Sequence, residues 1–213
     1  MIGVLDLQGD VVEHLDHLKR LGVPTRRIKT SEDMSGLSGM IIPGGESSCL
    51  SRLLRIFGLH EAIIAAHARG MKLWGTCAGA ILLAAAVVGE NRHLGLIDVE
   101  IERNSFGSQL DSFAYGAKIP QVSPDPLELI FIRAPKITKV GPGVQILLQV
   151  DDYIAAAEDG QTLLTVFHPE LTGSLAFHRY FALKCGLEVP SDIPLQDPTW
   201  TTTSWTRLTR IAA

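Results

Sequence analysis

The sequence predicts an α/β fold with a mostly parallel central sheet, helices on both faces and an antiparallel addition. Three short apolar runs in the first 90 residues each end in a turn and lead into a segment with helical spacing. This repeated strand–helix order favours a parallel sheet. Between residues 97 and 168 the helical spacing gives way to short apolar runs separated by Pro and Gly, which favours antiparallel strands.

The three strand–helix units follow one another from the second residue. In the first, IGVLDLQ predicts a buried strand, and Val12, Leu15 and Leu18 share one face of a helix that ends at Gly22. In the second, GMII precedes the turn PGGES and a helix interrupted at Gly58. In the third, MKLW leads into the turn GTCAG, and the apolar run AILLAAAVV predicts a buried helix.

The middle of the chain has a different pattern. Ile97, Val99 and Ile101 alternate with charged residues, which predicts a strand with one solvated face. Further short strands are predicted up to residue 168, followed by a last helix over 174–186. These strands form the antiparallel addition to the parallel sheet.

The chain has 213 residues, a length that suits one domain with a sizeable core. We expect that domain to span residues 1–185, since no linker or repeat divides this stretch. Residues 186–213 are rich in Thr and Pro and follow no period, which predicts an irregular tail. Trp200 and Trp205 are the residues that could dock this tail on the body.

The composition excludes several classes of function. The formal net charge is −4, the pI is about 6.0 and no basic cluster is present, so a nucleic-acid partner is not expected. The start lacks a basic n-region, and the longest apolar run, 80–88, is too short to span a bilayer. We therefore expect a cytoplasmic protein with no membrane partner. The odd number of widely spaced cysteines, Cys49, Cys77 and Cys185, favours free thiols.

The turn GTCAG has the form of a nucleophile elbow with cysteine as the nucleophile. Gly75 and Gly79 would let the flanking backbone pack closely, and the turn would lift Cys77 above the sheet edge at a helix N-terminus. The amide of Ala78 would then be one oxyanion donor. The alternative is a structural cysteine, since free cysteines are often buried. Cys49 and Cys185 have no such frame and are interpreted as ordinary thiols.

His168 is the candidate base, because it stands at a predicted strand end, before Pro169. In extended backbone, residues two apart share a face, so His168 and Glu170 would point the same way. A carboxylate beside an imidazole fixes its tautomer and stabilises the imidazolium. The alternative is a loop with incidental polar residues. Four other histidines lie on predicted helices and are expected at the surface: His14, His17, His60 and His67.

A second Gly-rich turn, PGGES at 43–47, follows another predicted strand. By itself it is consistent with a plain strand-to-helix turn capped by Ser47 or Ser48. Next to the cysteine turn it could supply a second oxyanion amide.

The motifs PGGES, GTCAG and HPE, in this order, resemble those of the class I (triad) glutamine amidotransferases. The segments LQGD at 7–10, ERNSFGSQLDSF at 102–113 and FIRAP at 131–135 narrow the likeness. With them the chain resembles the glutaminase subunit of pyridoxal 5′-phosphate synthase, the PdxT family, from residue 2 to about 185. The resemblance implies the three-layer class I glutamine amidotransferase-like fold, and it makes residues 1–185 a single glutaminase domain.

The resemblance also implies roles for individual residues. Cys77 would attack the side-chain amide of L-glutamine, His168 would pass protons, and Glu170 would orient His168. The oxyanion amides would come from Gly45 and Ala78. The implied L-glutamine site comprises Gly45, Glu46, Ser47, Arg103, Ile132 and Arg133. In the family, the segment containing Gln8 and Gly9 helps to form the oxyanion hole when the partner docks.

The implied partner is a separate synthase subunit of the PdxS type, held with this chain in a large hetero-oligomer. The ammonia would pass to that subunit, which makes pyridoxal 5′-phosphate. On this interpretation pyridoxal 5′-phosphate is the product of the complex, and neither a cofactor nor a metal is expected on this chain.

Three alternatives stay open at this point. A class I amidotransferase that serves another synthase is one, although the RNSFG and FIRAP segments speak against it. A stand-alone cysteine hydrolase or peptidase of the PfpI type is the second, but such enzymes usually place their histidine soon after the cysteine. The third is a non-catalytic scaffold, in which an intact triad would have no purpose.

Overall fold

A computed structural model describes residues 1–103, 112–197 and 199–200. Most of the motif ERNSFGSQLDSF, residues 104–111, lies outside the described residues. Within them the chain forms twelve strands and five α-helices.

The elements follow in this order: β1 (Ile2–Leu5), α1 (Val11–Arg20), β2 (Thr25–Ile28), β3 (Gly39–Ile42), α2 (Ser47–Ile56), α3 (Leu59–Ala68), β4 (Lys72–Thr76), α4 (Ala78–Leu83), β5 (Ala84–Val87), β6 (Ile97–Glu102), β7 (Ser112–Ala117), β8 (Leu127–Ile132), β9 (Lys136–Val140), β10 (Gln145–Val150), β11 (Tyr153–Glu158), β12 (Thr162–Thr165) and α5 (Ala176–Lys184). Short 3₁₀ turns occupy Glu32–Met34 and Pro169–Leu171.

The central sheet has the strand order β2-β1-β3-β4-β12-β11-β9-β6-β5, with β10 paired to β11. The half from β2 to β12 is parallel throughout. Beyond β12 the pairs with β11, β9 and β6 are antiparallel. The predicted α/β class, with a mostly parallel sheet and an antiparallel addition, is therefore confirmed.

Helices cover the apolar strands of the parallel half. One group consists of α1 and α5, which pack on each other, and the other of α2 with α3 and α4. Strands β1 and β3 are buried along their whole length, as expected where helices cover both faces of a parallel sheet. Trp74 on β4 is fully buried and stacks against Phe177 of α5 with ring centroids 6.2 Å apart.

Two details differ from the predictions. The apolar run at 80–88 is not one helix, because α4 ends at Leu83 and residues from Ala84 form β5, which pairs with β6. A short apolar run fits a buried helix and a buried strand equally well, so the hydrophobic period could not distinguish the two. Strand β2, with the sequence TRRI, was missed because an edge strand with two arginines has no apolar alternation.

Strands β7 and β8 form a separate two-stranded antiparallel sheet among the described residues. Its inner side packs through aromatic rings: Phe113 stacks on Phe131 at 4.6 Å, and Phe131 lies 5.4 Å from Phe167 on the loop after β12. The amide of His168 donates to the carbonyl of Ile130 at 2.8 Å. These contacts fix the small sheet over the end of β12.

The described part of the tail is fastened to the start of α5. The amide of Leu175 donates to the carbonyl of Leu195 at 2.7 Å, and the amide of Asp197 donates to the carbonyl of Gly173 at 3.0 Å. Asp197 also pairs with Arg20 of α1 at 3.1 Å. Trp200 lies against this segment, whereas Trp205 lies outside the described residues. Among the described residues, no helix has the length and apolar character needed to cross a membrane.

The prediction of surface histidines is wrong for His14 and His17. Both are fully buried, and they lie on the side of α1 that faces α5, where they meet a third buried histidine, His178. His60 and His67 are half-buried. His14, His17 and Leu18 share one buried face of α1. The sequence pattern did not reveal this, because histidine is usually a polar residue of the exposed face.

The buried histidines make the fold sensitive to acid. Burial, the largest cause in each case, lowers the pKa of His14 and of His178, and it lowers the pKa of His17 to about 3. Unfolded histidines take up protons below about pH 6.5, whereas these three stay neutral in the fold. Stability should therefore fall as the pH falls below 6.5, and His17 alone should contribute about 1.4 kcal/mol per pH unit until the pH nears its folded pKa.

This prediction is checked by urea unfolding at pH 7, 6 and 5. His17→Phe should lessen the loss of unfolding free energy between pH 6 and pH 5 by about one proton's worth, or ~1.4 kcal/mol. Leu18→Val serves as the control: it alters a buried side chain of the same helix without removing a titratable group, so it should leave the pH dependence unchanged. The same pH slope in wild type and His17→Phe would contradict the prediction.

Candidate active site

The candidate site lies at one edge of the central sheet, where four neighbouring strands end. Strands β1, β3, β4 and β12 are adjacent and parallel, so their carboxyl ends lie side by side. Each is followed by one of the motifs found in the sequence: LQGD, PGGES, GTCAG and HPE. Such an edge is the usual place for a binding site in an open parallel sheet.

Cys77 sits at a sharp turn between β4 and α4. Its backbone has φ 49° and ψ −107°, a strained conformation for a residue other than glycine. A Cβ on Gly79 would lie 2.0 Å from the carbonyl oxygen of Ile42, and one on Gly75 would lie 2.5 Å from the backbone of Gly79. The two glycines of GTCAG thus permit close backbone packing on both sides of the cysteine, as the motif predicted.

His168 stands beside Cys77, since a Cβ on Gly44 would lie 2.6 Å from the ring of His168 and 3.5 Å from the Cβ of Cys77. On its other side, Nδ1 lies 2.8 Å from Oε1 of Glu170 and 3.3 Å from Oδ2 of Asp10. Burial lowers the pKa of His168, but the charges of Glu170 and Cys77 and the bond to Asp10 outweigh burial and raise that pKa well above 6.5. The surroundings of this imidazole therefore favour its protonated form.

Glu170 is fully buried behind His168. One carboxylate oxygen bonds to His168, whereas Oε2 is among the buried polar atoms that have no hydrogen-bond partner in the described part of the chain. The nearest nitrogen to Oε2 in an ion-pair arrangement is Nε2 of His14, at 3.6 Å. The residue predicted to orient His168 is thus placed to do so.

A cleft of about 920 Å³ opens above these residues. It is lined by every predicted site residue except Glu170: Gln8, Gly9, Gly45, Glu46, Ser47, Cys77, Ala78, Arg103, Ile132, Arg133 and His168. The structure therefore brings the predicted site residues together, although their chemical roles stay predictions.

The predicted glutamine-binding residues differ in how they are held. Glu46, not Ser47 or Ser48, caps α2: its carboxylate accepts from the amide of Cys49 at 2.6 Å. This bond, followed by those from Ser48 and the charge of Arg103, lowers the pKa of Glu46. Arg103 in turn reaches Glu46 at 3.2 Å and Glu90 at 2.6 Å.

The remaining predicted residues close the cleft from two sides. The carbonyl of Ile132, at the end of β8, lies 3.9 Å from the sulfur of Cys77. Arg133 follows in a left-handed conformation with φ 42° and is exposed. From the opposite side, Oε1 of Gln8 accepts from the amide of Glu46 at 3.2 Å. Gly9 has φ 96°, and a Cβ there would lie 2.0 Å from the carbonyl oxygen of Gly44.

Several residues that line the cleft were missed in the sequence, among them Asp10, Gln196 and Trp200. Asp10 belongs to the LQGD motif, but nothing in the sequence indicated its contact with His168, which is far away in the chain. Gln196 and Trp200 belong to the tail and also line the cleft. The docking of Trp200 was foreseen, whereas its place in the cleft wall had no signal in the sequence.

One group of side chains in the described residues has the donor types of a metal site, namely Asp10, His168 and Glu170, whose ligand atoms lie within 4.8 Å of one another. Nδ1 of His168 already lies 2.8 Å from Oε1 of Glu170 and 3.3 Å from Oδ2 of Asp10. We interpret the group as a hydrogen-bonded set around the imidazole.

This arrangement suits nucleophilic catalysis at a carbonyl carbon. A thiol at an elbow, an imidazole beside it and a buried carboxylate behind the imidazole are the parts of a Cys–His–acid triad. The cleft places polar and charged groups within reach of a small polar substrate.

Known proteins match the chain over most of its length. The model of the SNO glutamine amidotransferase family matches residues 4–187. A relative from Syntrophus aciditrophicus, "Pyridoxal 5'-phosphate synthase subunit PdxT", is 58% identical over 209 residues, which is 97% of this chain and 93% of the relative. A relative of the same name from Clostridium botulinum is 47% identical and covers 84% of this chain and 94% of its own length.

Solved structures give the same picture. One described as "Crystal structure of glutamine amidotransferase" superposes with a TM-score of 0.82 at 39% identity, covering 87% of this chain and 99% of that chain. "Structure of PurLQS from Thermotoga maritima" superposes with a TM-score of 0.63 at 14% identity, over 85% of this chain and 97% of that chain, and shares the fold.

The close backbone packing at the elbow yields a prediction. Gly79→Ala would push a methyl group into the carbonyl of Ile42, which must displace α4 from β3 and lower the free energy of unfolding by roughly 1–3 kcal/mol or more. The melting temperature should therefore fall, and the rate of Cys77 alkylation by iodoacetamide should change because α4 begins directly after Cys77. Gly116→Ala on β7 is the control, because a Cβ there meets no atom within 4 Å. Equal effects of the two substitutions would contradict the assigned packing.

Proposed function

Because the chain belongs to the SNO glutamine amidotransferase family, we propose that it hydrolyses L-glutamine to glutamate and ammonia through Cys77, His168 and Glu170. We further propose that it is the glutaminase subunit of a pyridoxal 5′-phosphate synthase, as the names of its relatives indicate. The observation that carries the proposal is the position of His168, which lines the cleft together with Cys77 and bonds to the buried Glu170 behind it.

In the proposed reaction the proton of the Cys77 thiol passes to His168, and the sulfur attacks the side-chain amide carbon of glutamine. The amides of Gly45 and Ala78 stabilise the oxygen that becomes negative. His168 gives its proton to the amide nitrogen, the carbon–nitrogen bond breaks, and ammonia leaves a glutamyl thioester on Cys77. Water then attacks the thioester carbon while His168 takes its proton, and glutamate is released as the sulfur leaves.

The protonated state of His168 supports its role. The surroundings raise the pKa of His168, and the imidazolium that they favour is the form that can donate to the leaving nitrogen. Glu170 favours this form by its charge and fixes the ring through Nδ1. The other nitrogen is thereby turned towards Cys77.

Recognition of glutamine is assigned to charged groups around the cleft. Free glutamine carries an α-carboxylate and an α-ammonium group, for which Arg103 or Arg133 and Glu46 are matching partners. Ser47 and Ile132 also line the cleft. Arg103 is already paired with Glu46 and Glu90, so a substrate carboxylate would join an existing network.

Gln8 and Gly9 are proposed to couple the site to the partner. Gln8 spans from the end of β1 to the amide of Glu46, next to the proposed oxyanion residue Gly45. The positive φ of Gly9 gives this loop conformations that other residues rarely adopt. Docking of a synthase subunit on the loop could reset these amides and bring the site into its active form.

The proposed partner is a PdxS-type synthase subunit, with which this chain would form a hetero-oligomer. Ammonia would pass to that subunit without release into the solvent. We propose a cytoplasmic location for the complex. Pyridoxal 5′-phosphate is the product of the partner's reaction in this scheme and is not assigned a place on this chain.

The proposal predicts that glutamate release depends on both Cys77 and the partner. Glutamate formed from glutamine is measured with the chain alone, with the chain plus a pyridoxal 5′-phosphate synthase subunit, and with Cys77→Ala plus that subunit. Strong turnover is expected only in the second mixture, since the third lacks the nucleophile. Turnover in Cys77→Ala would contradict the triad, and equal rates in the first two mixtures would contradict partner activation.

Arg103 provides a test of the substrate assignment. Arg103→Met should raise the KM for glutamine roughly 10- to 100-fold with a smaller effect on kcat, because a charge-assisted bond to the substrate is lost. Arg69→Met is the matched control, since Arg69 follows α3 and precedes β4, at the opposite edge of the sheet. An unchanged KM in Arg103→Met would remove Arg103 from the binding site.

A further inference from the structure

A line of three buried histidines leads away from the triad. Nε2 of His14 lies 3.6 Å from Oε2 of Glu170, and Nδ1 of His14 lies 2.9 Å from Nε2 of His178. Nδ1 of His178 lies 3.1 Å from Nδ1 of His17. All three side chains have no exposed surface. The line thus runs from the catalytic carboxylate through α1 and α5, and the mechanism above gives it no role.

All three imidazoles are neutral around pH 7. Burial is the largest influence and lowers the pKa of each. Around His14, the charges of Glu170 and Asp10 act against burial, whereas His168 acts with it. Around His17, Arg20 and His14 act with burial, and Asp197 and the backbone of Thr172 act against it. Around His178, the charges of His17 and His14 act with burial and lower its pKa further.

A neutral imidazole carries one N–H and one bare nitrogen, so the line has two possible directions. In the first, His14 donates from Nε2 towards Glu170, His178 donates from Nε2 to His14, and His17 donates from Nδ1 to His178. In the second, every proton is on the other nitrogen. The bare Nε2 of His14 then faces the carboxylate, and the hydroxyl of Thr76, 3.4 Å away, donates to it.

The buried carboxylate decides between the two directions. Oε2 of Glu170 has no hydrogen-bond partner among the described residues, and the second direction would set a nitrogen lone pair against this charged oxygen. The first direction leaves only the neutral Nε2 of His17 without a partner. An unpaired buried charge is more costly than an unpaired neutral acceptor, so the first direction is favoured.

We propose that His14 is a positioning residue, which points its Nε2–H at the second oxygen of Glu170 across 3.6 Å and is held in that tautomer by His178 and His17. The proposal rests on the proposed glutaminase function. The N–H dipole of His14 attracts Oε2 and so opposes rotation of the Glu170 carboxylate, whose other oxygen keeps the ring of His168 aligned with Cys77. His14 does not touch the proposed substrate and acts only through Glu170.

The packing around the line keeps water away from it. The indole of Trp74 lies edge-on to His14 and His178, with ring centroids 5.5 Å and 4.9 Å away. Trp200 of the tail lies edge-on to His17 at 6.0 Å. In a site without water the three side chains must satisfy one another, which makes a single direction of donors stable.

The tautomers can be measured without any assumption about activity. The full chain, 23.1 kDa, is labelled with ¹⁵N in the histidine rings, and proton–nitrogen correlation spectra at pH 7.5 distinguish the protonated from the bare nitrogen of each ring. We expect His14 and His178 as Nε2–H tautomers and His17 as the less common Nδ1–H tautomer. Spectra that show the opposite set would overturn the proposal.

The kinetic test uses glutamate release in the presence of the synthase subunit. His14→Phe keeps the ring shape but removes the donor to Glu170, and it should lower kcat roughly 10-fold or more with little change in KM. His14→Gln can donate to Glu170 with its amide nitrogen and accept from His178 with its oxygen, so it should recover most of kcat. His67→Phe is the control, because His67 bonds to Thr162 at the opposite end of β12.

The outcomes separate the two proposals. Absence of turnover in the wild-type complex would contradict the glutaminase function, whereas the tautomer spectra would still decide the direction of the line. An active wild type with unchanged kcat in folded His14→Phe would overturn the positioning role alone. A loss of kcat in His14→Phe that His14→Gln restores, with His67→Phe unchanged, would establish it.

Discussion

The burial of the Glu170 carboxylate is the constraint on which the candidate site depends. A carboxylate without exposed surface is stable only when charge and hydrogen bonds replace the lost water. His168 supplies the positive charge on one side, and the neutral His14 faces the other oxygen. The same pairing that stabilises Glu170 inside the protein also raises the pKa of His168 and turns it towards Cys77. The burial of Glu170 and the protonation of the imidazole beside Cys77 thus have one physical origin.

Close approach of backbones is the second condition, and glycine meets it at three points of the sheet edge. Gly79 lies against the carbonyl of Ile42, Gly9 against that of Gly44, and Gly44 itself against the ring of His168. Side chains at these positions would separate the loops after β1, β3 and β4. The cleft exists in its present form because these loops touch through backbone atoms, which brings residues from four strands within reach of one sulfur.

Much of this arrangement could be predicted from the sequence, and the reasons for success and failure are physical. The parallel half of the sheet followed from apolar runs with clear turns, and the elbow followed from glycines on both sides of Cys77. The run at 80–88 was misjudged because period alone cannot separate a short buried strand from a buried helix. His14 and His17 were misplaced because a histidine on a helix gives no local sign of a partner on another helix. The contact of Asp10 with His168 depends on the meeting of two strand ends far apart in the chain.

The segment after β1 connects the features that the sequence treated separately. Gln8 reaches the turn that holds Gly45, and Asp10 reaches Nδ1 of His168. One turn later, on the helix that begins at Val11, His14 lies near Glu170.

If a partner docks on this segment, a shift of α1 along its axis would act together on the turn that holds Gly45, the imidazole of His168 and the carboxylate of Glu170. The buried histidines that tie α1 to α5 oppose such a shift. The segment is therefore held firmly at its helical end, and its freedom lies at Gly9, where the backbone adopts a positive φ. A partner would accordingly change the orientation of amides near Gln8 and Gly9 while the line from Cys77 to Glu170 keeps its geometry.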